Sequence, residues 1–243
     1  MRNQTLTALS IVGLASLIST HASAQNIERA LQLGLGTNLI TYSSASITQN
    51  VPAGNGTTIE YESVNRTTVW GLGSRNNVTF EGGYGITDSL VLGGMLELGG
   101  WSNTTGPDTI TAGDPRRTDS MFSLFLGPKL DFMLLPDSVV RPFIGGAIGL
   151  VRQSYSIETT NQNNITEPQA DFGVTGVGLL ARAGIRWFLT PGFSIDPAFV
   201  FGFATASGST GTPVGGGATR NDDTSATGYT LGLRVGFSGW IGL

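Results

Sequence analysis

The 243 residues carry 13 Lys and Arg against 17 Asp and Glu, and only 12% are charged, about half the share of an ordinary soluble domain. A net charge of −4 argues against a nucleic-acid partner, which calls for excess basic charge, and so few charges would struggle to cover a soluble exterior. Glycine accounts for 36 residues and cysteine for none, so neither disulfides nor a lipid-bearing cysteine contribute and stability rests on burial and backbone pairing.

In chain order, the first element is one removed before folding. Arg2 precedes an apolar stretch from Leu6 to Ile18, and Ala22-Ser23-Ala24 comes next as an A-x-A cleavage site, the pattern of a secretory signal peptide over residues 1–24. The stretch, about 13 residues, is shorter than the roughly 20 needed for a spanning helix. Cleavage after Ala24 leaves residues 25–243, a length that suits one all-β domain. The longest apolar run of that domain, Phe143 to Val151, is shorter still. Among structures that cross a bilayer, a closed β-barrel remains.

Period-two alternation predicts eight strands. Strand 30–43 aligns Leu31, Leu33, Leu35 and Leu39; 76–87 aligns Val78, Phe80, Tyr84 and Ile86; 89–101 aligns Leu90, Leu92, Leu96 and Leu98. Strand 119–134 comes next with Phe122, Leu124, Leu126, Leu130 and Phe132, then 140–157 with Ile144, Ile148 and Leu150. Strand 172–189 aligns Val177, Leu179, Ile185 and Trp187; 193–206 aligns Ile195, Phe199, Phe201 and Phe203; 227–243 aligns Tyr229, Leu231, Leu233, Val235, Phe237 and Ile241. These runs exceed the roughly 5–6 residues of a sandwich strand.

The connections alternate strictly between long and short. Three are tight turns, at Thr87-Asp88-Ser89, Leu135 to Ser138, and Thr190-Pro191-Gly192. Four are long and polar, at 44–75, 102–118, 158–171 and 207–226. Outer-membrane barrels show this asymmetry, with short periplasmic turns and long extracellular loops. The fold class expected is therefore all-β, an eight-stranded antiparallel up-and-down transmembrane β-barrel in the outer membrane of a Gram-negative bacterium. Ile59, Tyr61, Val64, Val69 and Trp70 make residues 57–70 a candidate extra hairpin, which stands above the membrane or raises the count to ten.

On the phase set by the apolar residues, Glu81, Glu97, Lys129, Asp131, Arg182, Arg186, Asp196 and Arg234 all fall on the opposite, lumen-facing side. A basic residue facing lipid near the midplane would cost about 2–4 kcal/mol. The eight charges sum to zero as four acids and four bases. A small barrel is filled by its own side chains, so these charges are expected to form a structural salt-bridge network that plugs the lumen, with Arg141 as a further member at the periplasmic end. The alternative reading is a charged ring that sets ion selectivity. Two aromatic belts are expected, with Tyr84, Phe132, Trp187, Phe193 and Trp240 at the short-turn end and Tyr42, Phe122, Tyr155, Phe203 and Tyr229 at the other.

Val140–Gly149, Ala183–Phe188 and the terminal Tyr229–Phe237 resemble the strands of small outer-membrane β-barrel proteins of the OmpA/OmpX type, and the resemblance covers nearly all of the mature chain. It implies outer-membrane lipids as surroundings, the barrel-assembly machinery as a partner in biogenesis, a monomer, and any specific contact at the extracellular loops. Such barrels usually end on an aromatic residue, whereas this sequence ends in Leu243 with Phe237 and Trp240 upstream. The peptidoglycan-binding domain some members carry is not expected after the last strand.

Some small barrels of this kind are lipid-modifying enzymes with a Ser–His site. The sole histidine here is His21, inside the expected signal peptide, so Ser–His and Cys–His sites are unavailable to the mature chain. Glu81 and Glu97 are the candidate acid–base pair, with pairing to Arg182, Arg234 or Lys129 as the competing reading. Asp222-Asp223 lacks the six to eight oxygens a calcium ion takes, and Gly215-Gly216-Gly217 lacks the subsequent Lys-Ser/Thr of a phosphate loop. The expectation is a structural or surface-interaction protein without catalytic residues, cofactor or metal, with a narrow porin-like channel for ions or small solutes as the alternative.

Overall fold

A computed structural model of the chain describes residues 26–53, 57–70, 76–106, 115–160, 166–213 and 219–242. The expected signal peptide and the Gly215–Gly217 run lie outside the described residues. The nine strands, in order, are β1 (Leu31–Ala53), β2 (Thr57–Trp70), β3 (Asn76–Gly85), β4 (Leu90–Thr105), β5 (Arg116–Met133), β6 (Val140–Thr160), β7 (Thr166–Thr190), β8 (Phe193–Pro213) and β9 (Thr219–Ile241).

All pairings are antiparallel between sequence neighbours, except that β1 pairs with β3 and closes the ring against β9. Eight strands form the closed wall, the all-β up-and-down barrel expected from the alternation. The ninth, β2, folds back only on the upper half of β1, from Ile40↔Trp70 to Ala53↔Thr57. Residues 57–70 are therefore strand, but they add a hairpin arm rather than two further staves.

The outer face divides sharply by height. Outward side chains from Phe132 up to Phe122 on β5, and from Ile241 up to Tyr229 on β9, are apolar, and Leu126, Leu130, Leu231 and Phe237 lie 44–52% exposed. On β5 the ten residue steps at about 3.4 Å, tilted by roughly 40°, rise about 25 Å, the height of a barrel's apolar band. Above that level Ser102, Ser120, Thr104, Thr118, Thr205 and Thr227 take over, joined by hydroxyl contacts at 3.1 Å (Ser102–Ser120), 3.2 Å (Thr104–Thr118) and 3.5 Å (Thr205–Thr227).

The four segments read as long loops from their polarity are largely strand among their described residues. Residues 44–53, 102–105, 158–160 and 207–213 continue the ladder upward, and 57–70, 116–118, 166–171 and 219–226 return along it. Ser and Thr supply a polar surface while remaining compatible with the pleated backbone, so polarity marked the end of the membrane and not the end of the strands. A bulge between Asn38 and Ile40 leaves Leu39 unmatched against β9, which shifts the phase of β1 and turns Ile40 and Tyr42 outward.

Two belt assignments change for the same reason of facing. Tyr84, Phe132, Trp187 and Phe193 are outward and 39–45% exposed at the short-turn end, as are Phe122, Phe203 and Tyr229 at 41–44% near the upper edge. Trp240, on the lumen phase of β9, is 4% exposed instead. Tyr155 also turns inward, where its hydroxyl donates to Asp119 Oδ1 at 3.3 Å and its ring lies 6.3 Å from that of Trp101.

Candidate functional site

The lumen-facing phase of six strands brings the eight charged residues to one layer below the middle of the barrel. Asp131 on β5 is its hub. Arg182 on β7 grips it with two parallel bonds, Nε to Oδ1 at 2.9 Å and Nη2 to Oδ2 at 2.6 Å. Lys129 Nζ lies 3.4 Å and Arg186 Nη2 3.6 Å from Asp131 Oδ2. Asp131 and Lys129 side chains are fully buried, and Arg182 is 5% exposed. Three cations thus converge on one carboxylate that water does not reach.

Glu81 on β3 takes up the excess. Its carboxylate accepts from Lys129 Nζ at 2.7 Å and from Arg182 Nη1. Arg234 on β9 pairs with Glu97 on β4 through Nη2 and donates from Nε to Asn38 Oδ1 at 3.1 Å. Asn77 Nδ2 completes the Glu97 site at 3.3 Å. Arg186 bonds Asp196 on β8 through Nε at 3.2 Å. Each member therefore has an opposite charge within reach, and the bidentate Arg182–Asp131 geometry is of the stronger kind.

Neutral side chains join these pairs into a circuit. Lys129 Nζ donates to Gln32 Oε1 at 3.0 Å, Gln32 Nε2 to Ser238 Oγ at 2.9 Å, and Ser238 Oγ to Asp196 Oδ2 at 2.6 Å. Ser194 Oγ donates to Asp196 Oδ1 at 2.9 Å and accepts from Trp240 Nε1 at 3.2 Å. Polar groups this deep are costly without partners, and the hydroxyls and amides fill many of the lone pairs and N–H groups that the ion pairs leave, although Arg186 Nη1 is buried without a hydrogen-bond partner. The β6 wall contributes space to the layer. Gly145 faces Asp131 there, and a Cβ on it would come within 2.2 Å of Oδ1, so a glycine makes the room that Asp131 and Arg182 occupy.

The period-two reading missed Gln32, Asn38, Asn77, Ser194 and Ser238 because it tracked charge alone. All five stand on the same phase as the lumen-facing residues of their strands, the signal that would have found them. Arg141 is fully buried at the short-turn end, with Nε donating to Ser138 O at 2.9 Å and its guanidinium 4.8 Å from the Phe188 ring. Glu81 and Glu97, the candidate acid–base pair, sit on adjacent strands, and basic side chains engage both of them. Asp222 accepts from Arg220 Nε at 2.9 and 3.0 Å. No cluster of three or more metal-ligating side chains occurs among the described residues.

No family model and no curated protein matches the chain. Among solved structures, the outer membrane protease OmpT from Escherichia coli is similar with a TM-score of 0.52 and 8% identity, over 92% of this chain and 100% of that one. OprG from Pseudomonas aeruginosa is similar with a TM-score of 0.42 and 14% identity, over 90% and 97%. Ail of Yersinia pestis, solved in complex with the heparin analogue sucrose octasulfate, is similar with a TM-score of 0.36 and 11% identity, over 85% and 99%. The closed eight-stranded ring, its apolar band and the OmpT superposition together define an outer-membrane β-barrel. Its fold is an antiparallel up-and-down barrel closed by eight strands.

Proposed function

We propose that the mature protein is a monomeric barrel of the outer membrane that has a closed lumen and acts as a structural or surface-interaction protein. In this reading residues 1–24 direct export, the barrel-assembly machinery inserts the chain, and outer-membrane lipids surround the apolar band. Any specific extracellular ligand is met by the four hairpin extensions and their tips. The observation that supports a closed lumen is the circuit from Gln32 through Lys129, Asp131, Arg186, Asp196 and Ser238 back to Gln32, with Glu81 and Arg182 bonded across it. A conducting pore would need these groups hydrated, whereas Lys129 and Asp131 are dry.

With 8% identity to OmpT, protease activity is not carried over, and the mature chain lacks the histidine that a Ser–His site requires. The expected behaviour is a heat-dependent mobility shift on SDS gels of outer-membrane fractions, with no unitary conductance in planar bilayers. Conductance that changes when Glu81 or Arg234 is replaced would instead establish the second reading, a narrow passive channel.

A further inference from the structure

Below the ion-pair layer, the short-turn mouth is stopped by residues that belong to no strand. Asn26–Ala30 turns into the opening ahead of β1, and the Ile27 side chain is completely buried among Val91, Met133, Phe143, Phe188, Ala198 and Trp240. Its neighbours Glu28 and Arg29 remain exposed at the rim. The turn is closed by Ala30 N donating to Ile27 O at 3.0 Å, and Arg29 sits at φ 67°, the left-handed conformation.

One wall residue anchors it. Arg29 N donates to Gly85 O at 2.8 Å, and Gly85 N donates to Ala30 O at 2.9 Å. Gly85 has to be glycine for this contact, because a Cβ there would lie 1.9 Å from Ile27 O. Directly above, the Arg186 guanidinium rests 5.2 Å from the Phe143 ring and 5.0 Å from that of Trp240. The aromatic floor that Ile27 packs against is thus also the underside of the charged layer. Glu81 and Glu97, on the upper side of that layer, keep 11% and 17% exposure.

We propose that Asn26–Ala30 is a cap that seals the short-turn mouth, keeps water from the underside of the ion-pair layer, and can be unseated without disturbing the β wall. It has no ladder of its own, being held by the buried side chains of Ile27 and Ala30 and by two backbone bonds to a single residue. The cap lies below the charged layer, and its test reads thiol access and not current. It therefore stands or falls separately from the closed-lumen reading.

The chain has no cysteine, so single-cysteine variants of the refolded barrel report on one position each. In Ile27→Cys, reaction with a water-soluble maleimide is expected to be slower than in Glu28→Cys by roughly ten- to a hundredfold, the factor that burial of one such side chain supports. Adding Gly85→Val to Ile27→Cys should abolish the protection while the heat-dependent mobility shift persists. A chain lacking Asn26–Arg29 provides the second arm: Met133→Cys, in the wall beneath the cap, should react fast there and slowly in the full chain. Equal rates for Ile27→Cys and Glu28→Cys in the folded barrel overturn the proposal, as does a Met133→Cys rate that the deletion leaves unchanged.

Discussion

Replacing Asp131 with Ala is expected to destabilise the barrel by about 3–5 kcal/mol, the cost of leaving buried charge without its partner. Lys129, Arg182 and Arg186 all lie within 3.6 Å of its carboxylate, and Glu81 alone would then face the first two. The quantity to measure is the urea midpoint at which the folded, fast-migrating form is lost, with the slope unchanged. Arg182→Ala should cost a similar amount, and the double replacement much less than their sum, because removing both partners leaves neither charge stranded. The pair Arg117–Asp119 supplies the contrast: its atoms are 3.0 Å apart but the Arg117 side chain is 52% exposed, and Arg117→Ala should barely move the midpoint, since water screens the pair. Comparable losses at the two sites would show that the charged layer is hydrated and remove the basis for a closed lumen.

Leu126→Arg is expected to cost about 2–4 kcal/mol in refolding into lipid vesicles, and Ser120→Arg about 0–1 kcal/mol. Both positions lie on the outward face of β5, Leu126 being 52% exposed in mid-band and Ser120 lying above Phe122, where the apolar band ends. The difference arises from the depth at which a guanidinium must leave water. Equal penalties at the two positions would mean that the band is misplaced along the strands. If both were negligible, the outer face would be in contact with water, and the membrane assignment would fail.

The period-two phase of each strand was legible because side chains on a strand alternate without exception until a bulge intervenes. That is why Glu81, Glu97, Lys129, Asp131, Arg182, Arg186, Asp196 and Arg234 could be sorted to one side with no structure. Their partners could not. Glu81 and Arg182 are 101 residues apart, and whether they meet depends on how far each strand slides past the next around the closed ring. The bulge at Leu39 was invisible for a related reason: an extra residue leaves the apolar pattern of Leu31, Leu33 and Leu35 intact below it and shifts only the residues beyond it.

The height of the strands was misread because polarity was taken for a loop. Ser102, Thr104, Thr118 and Ser120 are polar, yet they face each other across a regular ladder, and only the pairing distinguishes that from a solvated loop. Ile27 and Gly85 carried no signal either, since an isolated isoleucine before a strand and a glycine at its end are commonplace in any β protein.

By itself, then, the sequence determined that the chain is a transmembrane β-barrel and, away from the bulge in β1, which phase of the apolar alternation meets lipid. Both are local consequences of alternation, low charge and the absence of a long apolar run, and they require no knowledge of distant residues. Only the tertiary structure decided which charges pair, that β2 lies above β3 on the same edge of β1 and adds no stave to the ring, that the wall continues far above the apolar band, and that Asn26–Ala30 closes one mouth. Each of these depends on strand register around a closed circle, a quantity that residues far apart in the chain share and that no local pattern records.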